Sequence, residues 1–143
     1  MIRPYTIDTS VFISALDQDD PKVAASQKFL KYVHDSSKEV VIPTVVLIEV
    51  LNVLRRRLQH RDAAFVKKTY QNLVNAPNVI VVPVDMAYVE TIFSLPASAQ
   101  LKSNDLMIAM CAFACKSILV SWDKTFLKQA KKFVNVSDPE ELI

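Results

Sequence analysis

Five acids in this 143-residue chain follow or interrupt apolar runs, where a carboxylate needs a partner. Asp8 follows "YTI", Asp85 follows "VVPV" and Asp123 follows "LVSW". Glu49 stands among Val45, Val46, Leu47, Ile48, Val50 and Leu51, and Asp105 precedes "LMIAMCAFAC". An ionised acid in apolar surroundings is costly unless it is hydrogen-bonded, paired or bound to a cation. Each has a plain structural reading when taken alone. Asp8, Asp85 and Asp123 can cap helices that follow strands. Asp105 can meet the positive end of a helix dipole, and Glu49 can belong to an exposed stripe with Asn52 and Arg56. Convergence changes the chemistry, because carboxylates gathered on one rim repel each other. Such a cluster is stable at neutral pH mainly when it keeps a proton or holds a hard cation such as Mg²⁺ or Mn²⁺.

The elements that must position these acids are legible as an alternation of strands and helices. "PYTI" at 4–7 reads as a strand, followed by a helical turn or two from Ser10 to Leu16 opening on hydroxyl caps. A helix starting at Pro21 repeats its apolar residues at helical spacing to Val33. "VVI" at 40–42 is a strand ended by Pro43, after which a long helix runs from Thr44 to about His60 and another from Asp62 to about Asn75. "NVIVVPV" at 78–84 is a strand, and "DMAYVETIFSL" a helix capped by Asp85. A loop through Pro96 leads to "SNDLMIAMCAFAC", a helix capped by Ser103 or Asn104. "SILVSW" is a strand, "DKTFLKQAKKF" a basic amphipathic helix and "VNV" a last short strand. This alternation predicts a single α/β domain over 1–143 with a mostly parallel sheet covered on both faces. In such sheets ligands bind beyond the carboxyl ends of the strands, where strand order reverses. Asp8, Asp85 and Asp123 all fall at that rim.

Composition narrows the chemistry further. The chain contains no glycine, where average usage of roughly 7% would supply about ten. Phosphate-cradling loops, dinucleotide fingerprints, nucleophile elbows and EF-hand loops all need glycine for tight turns or close backbone approach. Hydrophobic residues make up 51% and charged residues 22%, enough apolar material for a full core and for a subunit interface. No window resembles a signal peptide or a membrane span, so a soluble cytoplasmic protein is expected. Cys111 and Cys115 read as small core residues, with no histidines nearby to complete a metal site.

Four stretches, "DTSVFI" at 8–13, "IEVLNVL" at 48–54, "NDLMIAMCA" at 104–112 and "LVSWDKTF" at 119–126, together resemble the PIN domain nucleases, and within them the small toxins of VapBC type. The resemblance covers nearly the whole chain and keeps the family's order and approximate spacing. It implies a three-layer α/β/α sandwich with a five-stranded parallel sheet whose first and fourth strands lie side by side at the centre. Asp85 would then fall at the sheet's edge and act as a helix cap. By position, Asp8, Glu49 and Asp105 match the family's metal-binding acids, Asp123 matches its fourth acid, and Ser10 and Ser121 match hydroxyls that hold the cluster. The chain departs from the pattern at Thr125, where many members carry a further acid; fewer charges favour a second metal less.

The resemblance implies a Mg²⁺-dependent ribonuclease (Mn²⁺ as substitute), in which metal-activated water cleaves the phosphodiester. It also implies a toxin silenced by an antitoxin protein, and a homodimer through apolar helices. A stand-alone RNA-processing or DNA-acting nuclease and a non-catalytic binding module are the alternatives. His34 and His60 read as exposed surface histidines rather than general bases. Lys and Arg number 17 against 11 acids once the four proposed ligands are set aside. "RRRLQHR" at 55–61 with Lys67 and Lys68, and Lys124, Lys128, Lys131 and Lys132, are expected to hold phosphates on either side of an acidic cleft.

Overall fold

A computed structural model describes residues 2–57, 63–96 and 100–143. Its sheet contains β1 (Tyr5–Ile7), β2 (Val40–Pro43), β3 (Val79–Val82), β4 (Ile118–Val120) and β5 (Asn135–Ser137), in the order β3-β2-β1-β4-β5 with every pairing parallel. The chain steps outward from β1 to β2 to β3, then returns to β4 on the other side of β1. Strand order therefore reverses between β1 and β4, with Ile7 opposite Val120.

The helices are α1 (Thr9–Leu16), α2 (Val23–Asp35), α3 (Thr44–Arg57), α4 (Ala63–Val74), α5 (Met86–Glu90), α6 (Ser103–Cys115) and α7 (Lys124–Ala130). Short 3-10 turns follow at Thr91–Ser94 and Glu140–Leu142. Val40 and Ile42 enter the larger core with Phe12, Phe29, Val33 and Val46. Val41, between them in sequence, enters a second cluster with Tyr88, Met110 and Cys111. Alternate side chains of one strand thus feed cores on both faces, giving the three-layer sandwich. No described helix is long and apolar enough to cross a membrane.

The element boundaries shift where local signals misled. Helix α2 begins at Val23, two residues after Pro21, and β4 ends at Val120, short of Trp122. The stretch after Asp85 is one α-helical turn continued by a 3-10 turn rather than one helix. Helix α3 is described to Arg57 and α4 from Ala63; the expectations for His60, Arg61 and Asp62 lie outside the described residues. Asp85 does cap α5, accepting from the Tyr88 N–H at 2.9 Å, and β3 does lie at the sheet's edge.

Candidate active site

The reversal point between β1 and β4 delivers Asp8 and Asp123 to one rim. Asp8 leaves β1 with its N–H bonded to the Val120 carbonyl at 2.9 Å, so the main chain holds it against β4. It occupies the N-cap position of α1, yet its side chain makes no cap hydrogen bond. Instead Asp8 Oδ2 accepts from Ser10 Oγ at 2.8 Å and from Ser121 Oγ at 2.7 Å. The expected hydroxyl caps of α1 are absent for the same reason: Ser10 is spent on Asp8, and the Thr9 hydroxyl donates to Glu49 Oε2.

Both serines are themselves fixed by β4's exit. Ser10 Oγ accepts from the Trp122 N–H at 3.1 Å, and Ser121 Oγ accepts from the Asp123 N–H at 3.0 Å. The Trp122 indole N–H donates to Ser26 Oγ at 2.7 Å, and Ser26 donates to Ser14 at 3.0 Å. Asp8 is thereby locked at 6% exposure. Burial pushes its pKa above the ordinary carboxylate value, the two serine bonds pull it down, and the Glu49 charge adds to the rise.

Glu49 is half-buried on α3 and is held at both oxygens, by Thr9 and by Asn104 Nδ2, the latter at 2.6 Å. This replaces the exposed-stripe reading. It also corrects the predicted cap of α6: Lys102 holds the N-cap position, Ser103 is the first helical residue, and Asn104 reaches across to Glu49. Thr9 and Asn104 are partners of Glu49 that the sequence did not announce, since "DTS" and "SND" both read as ordinary helix starts. Asp123 does cap α7 through the Phe126 N–H, at 3.0 Å to Oδ1. Capping and convergence are therefore compatible.

Asp105, in the first turn of α6, links all four acids. Its pKa is raised to about 6, first by burial and then by the charges of Asp8, Asp123 and Glu49, with Lys102 opposing. All-oxygen donors of this kind suit a hard cation rather than a thiophilic one. Among the described residues, no three His, Cys, Asp or Glu side chains stand close enough to hold one ion directly. Mg²⁺ is the hard cation such a set suits, because it keeps several waters and takes only one or two carboxylates directly.

The remaining candidates fall elsewhere. His34 is exposed and bonds its neighbour Asp35 at 3.3 Å, while His60 lies outside the described residues. Arg55, Arg56 and Arg57 are exposed at the end of α3, with Arg57 near Asp17 at 3.6 Å. Lys131 and Lys132 do not flank the acids. They line a crevice at the amino ends of the strands, because α7 runs away from the Asp123 rim. Cys111 is buried as expected, but Cys115 is only half-buried and lines that same crevice.

The PIN domain family model matches residues 5–132, the span from β1 through the end of α7. The chain belongs to the PIN domain family. Among solved structures, it is similar to FitAcB from Neisseria gonorrhoeae at 15% identity and TM-score 0.70, covering 95% of this chain and 98% of that one. VapC20 of Mycobacterium tuberculosis, described as a sarcin-ricin loop cleaving toxin, is 19% identical at TM-score 0.68 over 92% and 98% of the two chains. VapBC2 from Rickettsia felis, bound to a DNA fragment from its promoter, is 14% identical at TM-score 0.66 over 94% and 97%. No curated protein matches the sequence.

Proposed function

We propose that this chain is a metal-dependent ribonuclease in which Asp8, Glu49, Asp105 and Asp123 hold Mg²⁺, or Mn²⁺ in its place, one or two of them directly and the others through its bound waters. The observation that carries this reading is the electrostatic convergence on Asp105, whose carboxyl feels Asp8, Asp123 and Glu49 at once. Four acids brought together from β1, α3, α6 and β4 repel one another in their ionised forms, a cost that a proton or a bound cation relieves. When bound, Mg²⁺ would polarise the phosphoryl oxygen and acidify the attacking water. Asp8 is the fixed anchor, since Ser10 and Ser121 hold its Oδ2. Glu49 is aimed by Thr9 and Asn104. Asp105 and Asp123 complete the negative rim that orients the ion and its waters. No side-chain nucleophile is required.

The toxin of a VapBC-type pair is the biological role this reading favours, with a cytoplasmic location. An apolar groove of about 460 Å³, walled by Phe12, Leu16, Leu30, Val33, Phe65 and Leu73, suits the apolar face of an antitoxin helix. A homodimer is the further expectation. Met86, Val89, Ile92 and Phe93 leave an apolar face uncovered on α5 and its 3-10 extension.

The deciding experiment is cleavage of single-stranded RNA by the purified chain with Mg²⁺ or Mn²⁺, alongside Asp8→Asn and Asp105→Asn. Cleavage lost in both variants at undiminished melting temperature supports the nuclease; cleavage retained in both overturns the site. A wild-type chain inert toward RNA but active on DNA would favour a DNA-acting enzyme, and one inert toward both a binding module. Growth arrest on overexpression, relieved by the product of a short adjacent reading frame, tests the toxin role.

A further inference from the structure

At the end of the sheet opposite the acids, the segments entering β1, β4 and β5, the last turn of α6 and the stretch that follows α7 enclose an open crevice of about 1050 Å³. Arg3, Lys116, Lys131 and Lys132 line it, and no Asp or Glu does. Its apolar wall includes Phe113 and Phe133, whose rings meet edge to face with centroids 6.2 Å apart and planes at 61°. Among the described residues, the ion pairs involve Lys22, Lys31, His34 and Arg57, and none uses Arg3, Lys116 or Lys131. Lys132 donates to Gln129 at 2.9 Å.

Cations at helix C-termini often do no more than offset the dipole, and α6 and α7 both end here. That account is incomplete for this crevice. Terminal carbonyls of α6 are already taken by the main chain, Ala112 O by Ser117 N–H at 3.0 Å and Phe113 O by Lys116 N–H at 3.3 Å. Ala130 O of α7 likewise accepts from Phe133 and Val134, both at 3.0 Å. Arg3 belongs to no helix. Lys116 holds a left-handed conformation at φ 53, which is unfavourable for any residue with a Cβ. Glu39 lies near enough to act on the Cys115 thiol but pairs with none of Arg3, Lys116 and Lys131, so the crevice combines cations in no ion pair with aromatic surface, the pairing that takes a planar ring joined to phosphate.

We propose that this crevice binds a nucleoside phosphate, free or as one unit of single-stranded nucleic acid, with phosphate on Arg3, Lys116 and Lys131 and the base against Phe113 and Phe133. Recognition here uses side-chain cations and needs no glycine loop, so the absence of glycine does not oppose it. Pro4 and Asp8 are separated by about 13 Å of extended strand, so a ligand in the crevice does not touch the acids. The inference is independent of the nuclease reading and is testable without metal.

Cys115 supplies the readout, since it lines the crevice while Cys111 is buried. The full chain in EDTA is treated with N-ethylmaleimide, and Cys115 alkylation is followed by mass spectrometry with AMP, a hexameric oligodeoxythymidylate or inorganic phosphate present. AMP or the oligonucleotide is expected to slow alkylation several-fold at saturation. Arg3→Gln with Lys131→Gln should raise the half-protecting concentration about tenfold, and Phe113→Leu should raise it also. Protection by the oligonucleotide alone assigns the site to a strand; protection by AMP at equal or lower concentration assigns it to a free nucleotide. The proposal is overturned if neither protects the unaltered chain, if inorganic phosphate protects equally, or if folded variants keep the original midpoint.

Discussion

Ser10 and Ser121, 111 residues apart in sequence, meet at 3.3 Å and donate to the same oxygen of Asp8. One serine comes from α1 and the other from the exit of β4, so their meeting joins the two strands that flank the reversal point. The shared acceptor makes Asp8 the most constrained acid of the rim. Its burial raises its pKa, and the serines are what keep that rise in check.

Ser121→Ala should therefore raise the Asp8 pKa further. If the ionised form is the one that binds metal, the acid limb of the cleavage pH profile moves to higher pH. Loss of a buried bond, with the Asp123 N–H left unsatisfied, should cost about 1–2 kcal/mol in denaturant unfolding. A profile and stability both unchanged would show that Ser121 does not hold Asp8.

Asp105 gives a pH dependence of definite sign. Its pKa in the folded chain is about 6, above the ordinary value of 3.8. Between those values the folded state binds more protons than the unfolded one, so this group's contribution falls as pH rises. At pH 7.5 without metal, Asp105→Asn should stabilise the protein by about 1 kcal/mol after allowance for solvent screening, or about 3 °C in Tm. Near pH 4 the gain should vanish. Added Mg²⁺ should stabilise the wild type more than the variant, reversing the order. Thermal melts at the two pH values, with and without metal, check all of this.

Glu49 should depend on its two holders more than on its own packing. Thr9→Val removes one bond and Asn104→Ala the other, each leaving the carboxylate charge in place. Each should lower turnover about tenfold, because small misplacements at a reacting centre are costly. Both sites lie outside the core, so Tm should change by no more than about 3 °C. A large Tm loss with normal turnover would mean that these bonds serve stability alone.

Phe93 is 86% exposed and Met86 72%, on a face that no described element covers. Phe93→Glu should convert a dimer to a monomer in sedimentation velocity, with the far-UV spectrum retained. If the unaltered chain is already monomeric, the α5 face is not a self-association surface.

The parallel sheet was legible because its strands are Val/Ile-rich runs separated by helical periods, a pattern that survives without any tertiary information. Asp85 illustrates the limit. It follows a strand as Asp8 does, and only strand order, with β3 at the edge and β1 at the centre, separates a helix cap from a rim acid. Asp123 shows that the two roles coexist on one side chain. Lys131 and Lys132 misled in the other direction, since closeness to Asp123 in sequence says nothing about the direction in which α7 carries them.

The sequence by itself determined what is periodic or categorical: strands alternating with helices, acids in apolar settings, and the exclusion of every glycine-dependent loop. Tertiary structure decided which acids meet and what holds them. Thr9 with Glu49 and Asn104 with Glu49 are pairings across 40 and 55 residues. Such contacts depend on helix orientation over the sheet, and no local propensity encodes them. The same packing left Arg3, Lys116 and Lys131 together at the opposite rim, where three separate stretches of chain end beside one another.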